Sequence, residues 1–262
     1  MKKFAVALFA AACCATACAS AKAHGFAPYL EAAQQLKTMP SPARLSDPQG
    51  AALLAIVGDR QRFLDSAPIG QDDLPALAQV CSASMDLETS YVEHDKAAKV
   101  QAITKDAHDQ SSLFTATATV YAHNTEEFQD EIALARSFTY QCKARLAPLM
   151  ADAFRFALAP ETRHAWNPDA LRRFQDKLFF DFTGILTLAH EARLRPANMQ
   201  RITKAMADAS PVLVAALPLA RRKMLLSFAA ATPAKVSGQS ADDITQILRI
   251  MDDTSCDKLC SL

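Results

Sequence analysis

The spacing of the apolar residues restricts the fold of this chain more than any other feature. Ala, Leu and Met recur at intervals of three and four positions along most of the sequence, whereas strand-like alternation of β-branched residues is nearly absent. Only six of the 262 residues are glycine. Three- and four-residue spacing places apolar side chains on one face of a helix. The sequence therefore predicts an all-α protein, a single large domain folded as an irregular multi-helix bundle.

The first 23 residues have the pattern of a secretory signal peptide. Lys2 and Lys3 give a positive start, residues 4–12 are apolar, and Ala21 and Ala23 supply the small residues that signal peptidase requires. The apolar run is much shorter than the ~20 residues that span a bilayer, which disfavours the alternative of a membrane anchor. We expect an exported, periplasmic protein.

The mature chain is expected to begin at His24. The alternative is a lipoprotein anchored through Cys18, or a secreted protein, although residues 15–17 lack the larger aliphatic residue usual in lipoprotein signals. Nothing downstream is apolar for long enough to predict a transmembrane segment.

Within residues 24–262, two parts are predicted. Residues 24–47 form an N-terminal extension and connector, because the prolines at 40 and 42 interrupt helical structure. Residues 48–262 form the helical bundle, with helices over about 48–65, 73–94, 100–122, 124–158, 168–195, 198–209, 211–217, 221–231 and 241–251.

Three local patterns in this bundle are specific enough to be checked. Asn124, three residues before Glu127, predicts a helix N-cap. Asn167 before Pro168 predicts another helix start, with the single tryptophan, Trp166, packed against it. Residues 178–188 are apolar nearly all round, which predicts that their helix is the central and most buried one.

The four cysteines beyond the signal segment predict two disulfides, because an exported chain with an even number of cysteines usually pairs them. Cys81 and Cys142 lie in separate helices that can pack together, and Cys256 and Cys260 are close in sequence. We therefore pair them in that order. The alternative for the second pair is copper binding or disulfide exchange, for which no histidine or methionine cluster is present nearby.

Several kinds of chemistry are disfavoured by what the sequence lacks. No glycine-rich phosphate loop, dinucleotide fingerprint or serine nucleophile elbow occurs. His190-Glu191 begins like a zinc-protease motif, but residue 194 is leucine. Glu161 and His164 have di-iron ligand spacing without the remaining ligands. We expect no cofactor and no metal.

The one catalytic hypothesis that the sequence supports involves Asp181 and His190. Asp181 lies between phenylalanines in the most apolar helix, and a buried carboxylate needs either a partner or a raised pKa. Its structural alternative is a salt bridge to Lys177, Arg193 or another basic residue of the C-terminal half.

Charge is balanced overall, with 28 basic and 28 acidic residues, which gives no support for nucleic-acid binding. It is nevertheless uneven along the chain. Acids dominate residues 65–131 and bases dominate residues 143–235. The candidate binding clusters are Glu126, Glu127, Asp130 and Glu131 on one side and Arg221, Arg222 and Lys223 on the other. The alternative is that the two halves face and neutralise each other.

Two functions from different classes fit these observations. The first is a non-catalytic role, in which the exported protein binds a macromolecule, most simply a protein, as an adaptor, inhibitor or assembly factor. The second is a periplasmic enzyme, for instance a hydrolase, that uses Asp181 and His190.

Overall fold

The computed structural model describes residues 25–105, 109–157, 168–255 and 260, and every regular element in them is helical. The all-α prediction is confirmed. In chain order the helices are α1 (Phe26–Thr38), α2 (Pro48–Val57), α3 (Arg60–Phe63), α4 (Leu74–Val92), α5 (Lys96–Thr104), α6 (Gln110–Glu127), α7 (Gln129–Ala157), α8 (Pro168–Glu191), α9 (Pro196–Ala215), α10 (Leu219–Ala231) and α11 (Gln239–Asp252). A 3-10 turn, Gln71–Asp73, leads into α4.

An aromatic core, which we call the N-terminal core, lies between α1, α2, α3, α4 and one side of α7. Tyr29 stacks on Phe138 with ring centroids 4.8 Å apart and meets the edge of Phe63 at 5.3 Å. Phe26 and Tyr29 are fully buried. Helix α1 is therefore part of this core, although its residues were assigned to an extension from the sequence.

A disulfide joins the two long helices of the N-terminal core. The sulfur atoms of Cys81 on α4 and Cys142 on α7 are bonded, and their Cα atoms are 5.5 Å apart. This predicted pairing is confirmed. The second predicted pair includes Cys256, which lies outside the described residues, so that pairing stays a prediction.

A second, mainly aliphatic core, which we call the C-terminal core, is built around α9. Eleven of the 20 residues of α9 are buried, because α7, α8 and α11 all pack against it. Helix α8 was expected to be the most buried element, and this expectation is wrong. Its apolar residues at 178, 182 and 185 are buried, but the side chain of Phe180 is 69% exposed.

Helix α7 belongs to both cores because successive turns present different sides. Phe138 and Cys142 face the N-terminal core, whereas Tyr140 and Ala147 face the C-terminal core. The helix contains Pro148 without ending there.

Several predicted helix boundaries differ from the structure. Residues 48–65 were predicted as one helix but form α2 and α3, and residues 100–122 were predicted as one helix but fall in α5 and α6. Asn124 does not cap a helix; it is buried inside α6, where its amide donates to the carbonyl oxygens of Val92 and His94. Pro211 does not open a new helix either. It lies within α9, where packing on several sides holds the helix together despite the missing backbone N–H.

Two other predicted boundaries, at Pro168 and Pro218, agree with the structure. Helix α8 begins at Pro168, as expected, although Trp166 and Asn167 lie outside the described residues. A break at Pro218 separates α9 from α10. Among the described helices, none has the length and apolar character needed to cross a lipid bilayer.

Candidate functional site

Charged side chains meet at the junction of α4, α7 and α8, and we call this group the ionic seam. Helix α7 supplies Arg136, Tyr140 and Lys143, whose spacing of four and three residues places them on one helix face. Lys143 Nζ donates to Asp181 Oδ2 of α8 at 2.6 Å. Arg136 Nε donates to Glu88 Oε1 of α4 at 2.8 Å. The seam therefore ties α7 to one helix of each core.

The seam is largely removed from solvent, and this changes the acidity of its members. The side chain of Lys143 is 4% exposed and that of Asp181 is 19% exposed. Burial raises the pKa of the Asp181 carboxyl, and the ammonium of Lys143 offsets this only in part. Burial also raises the pKa of the Tyr140 phenol.

Burial acts in the opposite direction on the Arg136 guanidinium, where it lowers the pKa. The neighbouring Glu88 carboxylate and Tyr140 outweigh this effect and raise it overall. Arg136 consequently stays charged, and the pair with Glu88 is permanent at any pH that leaves Glu88 ionised.

Asp181 and His190 do not form one site. His190 lies nine positions after Asp181 on α8, which places the two side chains on opposite sides of the helix and about 13 Å apart along its axis. Asp181 faces Lys143, while His190 Nδ1 lies 2.8 Å from the carbonyl oxygen of Pro233. A groove of about 370 Å³ lies elsewhere, between α1 and α4, and contains neither residue.

The three basic residues of the α10 cluster point in three directions, because consecutive helix residues are about 100° apart. Arg221 bonds to Asp176 of α8 at 2.6 Å and lies over the ring of Phe179. Lys223 is exposed on the far edge of the helix. The three do not present a common basic surface.

Arg222 is the inward-facing member of this cluster. Its side chain is buried and donates to the carbonyl oxygens of Leu217, Asp253 and Ser255, at 3.0, 2.7 and 3.1 Å. Burial lowers the pKa of the Arg222 guanidinium. Its contacts fasten the segment after α11 to the start of α10.

Three of the four acidic cluster residues make contacts within this chain. Glu127 pairs with Arg44 at 2.6 Å, and buried Glu131 accepts a hydrogen bond from the backbone N–H of Leu45 at 2.8 Å. Asp130 pairs with Arg195 and accepts from the Asn198 amide at 2.7 Å.

Burial acts to raise the pKa of Asp130, but Asn198 and Arg195 together hold it below its usual value. Glu126 is exposed. The ion pairs Asp130–Arg195 and Asp65–Arg145 join the acidic stretch, residues 65–131, to the basic stretch, residues 143–235. This supports the alternative of internal neutralisation.

A helical hairpin formed by α5 and α6, which we call the arm, is the least buried part of the described chain. Helix α5 has no buried residue and packs mainly on α6. Helix α6 buries only Ala116, Val120 and Asn124. Near the tip, Phe114, Ile103 and Leu113 are 77%, 52% and 42% exposed.

The structural alternative for Asp181, a salt bridge to a basic residue of the C-terminal half, is confirmed with Lys143 as the partner. The sequence did not identify Lys143, the rest of the ionic seam or the arm. The spacing of residues 136, 140 and 143 on one helix face was a usable signal for the seam, but their partners come from distant parts of the chain. In the arm, the threonine-rich composition was visible, whereas the exposure of its apolar residues depends on what packs beside it.

Among the described residues, no group of three histidine, cysteine or acidic side chains is placed to hold a metal ion. The chain matches no protein-family model, and comparisons with curated proteins and with solved structures found no match.

Proposed function

We propose that this chain is an exported, soluble helical protein that binds another protein without catalysing a reaction, and that the tip of the arm is its docking surface. The observation that carries the proposal is the exposure of three large apolar side chains, Ile103, Leu113 and Phe114, on a hairpin that contributes little to either core.

The energetics of the arm support this role. Burying a phenylalanine side chain is worth about 1.5–3 kcal/mol relative to leaving it in water. Phe114 gains little of that within this chain, since its side chain is 77% exposed. A partner that covers it together with Ile103 and Leu113 would recover that free energy. Large apolar side chains left exposed near one another on a weakly packed element are candidates for a protein interaction site.

The charge distribution supports an apolar rather than an electrostatic mode of docking. Glu127 and Asp130 already have basic partners in this chain, and Arg222 and Glu131 are buried. Little charge from the two predicted clusters remains to steer a partner, so we expect the association rate to change only modestly with salt.

Capture from native periplasmic extract tests the proposal, with the mature protein, Phe114→Ser and Met224→Ser as baits. Met224 provides a control because it is a large, exposed apolar side chain on another helix, α10. We expect a stoichiometric partner with the wild type and Met224→Ser, and its loss with Phe114→Ser. Equal capture by all three baits would refute docking at the arm.

The export component is tested separately, by mass spectrometry of the intact secreted protein. We expect a mature N-terminus at His24 without added lipid. A diacylglycerol mass on Cys18 would instead show a lipid-anchored protein.

A further inference from the structure

Helix α8 carries a stripe of exposed and half-buried residues along one side. Its members recur at intervals of three and four residues and therefore share one side of the helix. They are Arg173, Lys177, Phe180, Gly184, Thr187 and Glu191. Phe180 is 69% exposed, and a Cβ added at Gly184 would have no neighbouring atom within 4 Å.

The order of these residues along α8 is complementary to itself when reversed. When a second copy of α8 is placed antiparallel, with residue 182 of one copy level with residue 182 of the other, each member of the stripe lies opposite another member. This follows because the members are arranged symmetrically about position 182. Phe180 then faces Gly184 of the copy, Lys177 faces Thr187, and Arg173 faces Glu191.

We propose that two copies of this chain associate through α8, in an antiparallel pair about a twofold axis near residue 182. A twofold interface needs this kind of self-complementary surface. The exposed ring of Phe180 fills the space that Gly184 leaves open on the other copy. The absence of a side chain at Gly184 also lets the two helix backbones approach closely.

Charge complementarity at the ends of the stripe favours a second copy over an unrelated partner. Arg173 is exposed at one end. At the other end, Glu191 has only a long contact of 3.9 Å to Arg193, and both side chains are about half exposed. Two opposite charges 18 residues apart on one helix meet their complements in an antiparallel copy.

Sedimentation equilibrium of the purified mature protein tests this assembly, and Gly184→Leu is the most informative variant. Leucine favours helix more than glycine does, so this change maintains the fold of α8 while filling the space that receives Phe180. We expect the wild type to be a dimer. For Gly184→Leu and Phe180→Ser we expect a dissociation constant at least tenfold larger, which corresponds to a free-energy change of at least about 1.4 kcal/mol.

A charge swap tests the orientation. Arg173→Glu and Glu191→Arg should each weaken the dimer, because each places like charges opposite each other. The double variant should restore it, since the pair is regenerated with reversed sign. Leu45→Ser should dimerise like the wild type, because Leu45 is an exposed residue of the connection between α1 and α2.

A monomeric wild type at about 100 μM would overturn the proposal, because a dimer too weak to form there has a dissociation constant above the micromolar range of specific contacts. So would a dimer that Gly184→Leu and Phe180→Ser leave unchanged. A dimer weakened by both single charge changes and not recovered in the double variant would exclude the antiparallel arrangement.

Discussion

The two cores of this protein hold their helices together in different ways. In the N-terminal core, three short helices, α1 to α3, pack with the longer α4 and α7 around large aromatic side chains, and a disulfide joins α4 to α7. In the C-terminal core, longer helices pack around α9, whose buried surface is rich in alanine, including Ala205, Ala207 and Ala209.

This difference shows how helix length and side-chain size compensate for each other. The short helices α1 to α3 offer few contacts each, so the N-terminal core relies on rings of large area, and a disulfide joins its two long helices. The helices around α9 carry small side chains, approach closely and make many contacts along their length. The ionic seam joins the two arrangements through α7.

The largest effect is expected from removing the Cys81–Cys142 disulfide by substituting both residues with alanine. The bridge closes a loop with a sequence separation of 61 residues. A loop of that length is worth about 4 kcal/mol of unfolding free energy. Urea unfolding measures the loss, and hydrogen exchange should locate it in α1 to α4. If hydrogen exchange rises first in α9, the disulfide does not act mainly on the N-terminal core.

The next effect concerns the seam. Lys143→Met leaves the Asp181 carboxylate without its 2.6 Å partner and should lower the unfolding free energy by about 3 kcal/mol at pH 7. The Lys143→Met, Asp181→Leu double variant should lose less than the single variant, because it removes both charges together. A double variant whose losses simply add would show that the pair is not coupled.

A smaller loss, about 2 kcal/mol, is expected for Ala205→Leu, because added volume in a closely packed helix forces its neighbours apart. Ala205 is 2% exposed. Ala118→Leu, at an exposed position of α6, is the matched control and should change the unfolding free energy little. If both variants are equally stable, close approach does not hold the C-terminal core together.

The smallest effect is a pH dependence that arises from Asp181. Burial raises its pKa in the folded protein, so between the unfolded value near 3.8 and the folded value the folded state binds a proton that the unfolded state does not. This contribution to stability is present at low pH and is lost as pH rises through the folded pKa. The unfolding free energy of the wild type, relative to Asp181→Asn, should therefore increase on acidification from pH 7 to pH 4. A relative decrease would indicate that the Lys143 pair dominates.

Local patterns gave most of the helices, because capping, proline placement and apolar spacing act over a few residues. The starts at Pro168 and the break at Pro218 follow from such rules. Asn124 shows their limit. Its sequence context suits an N-cap, but it lies inside α6, where its amide donates to the carbonyl oxygens of Val92, the last residue of α4, and His94.

The candidate sites were harder to predict, for a related reason. The charge clusters were visible in the sequence as neighbours, but a helix turns consecutive side chains about 100° apart, so Arg221, Arg222 and Lys223 separate. The same geometry separates Asp181 from His190. Which charges remain exposed depends on partners such as Arg44 and Arg195, which are far away in sequence.

By itself, the sequence determined that this chain is helical, because helix periodicity and proline effects are local. It favoured the Cys81–Cys142 disulfide, because the four cysteines after residue 23 allow only three connectivities, and the structure confirms this pairing. Only the tertiary structure decided that α9 rather than α8 is the central helix, that Lys143 pairs with Asp181, and that Phe114 and Phe180 stay exposed. Burial and ion pairing depend on which surfaces of distant helices meet, and that is set by packing over the whole chain.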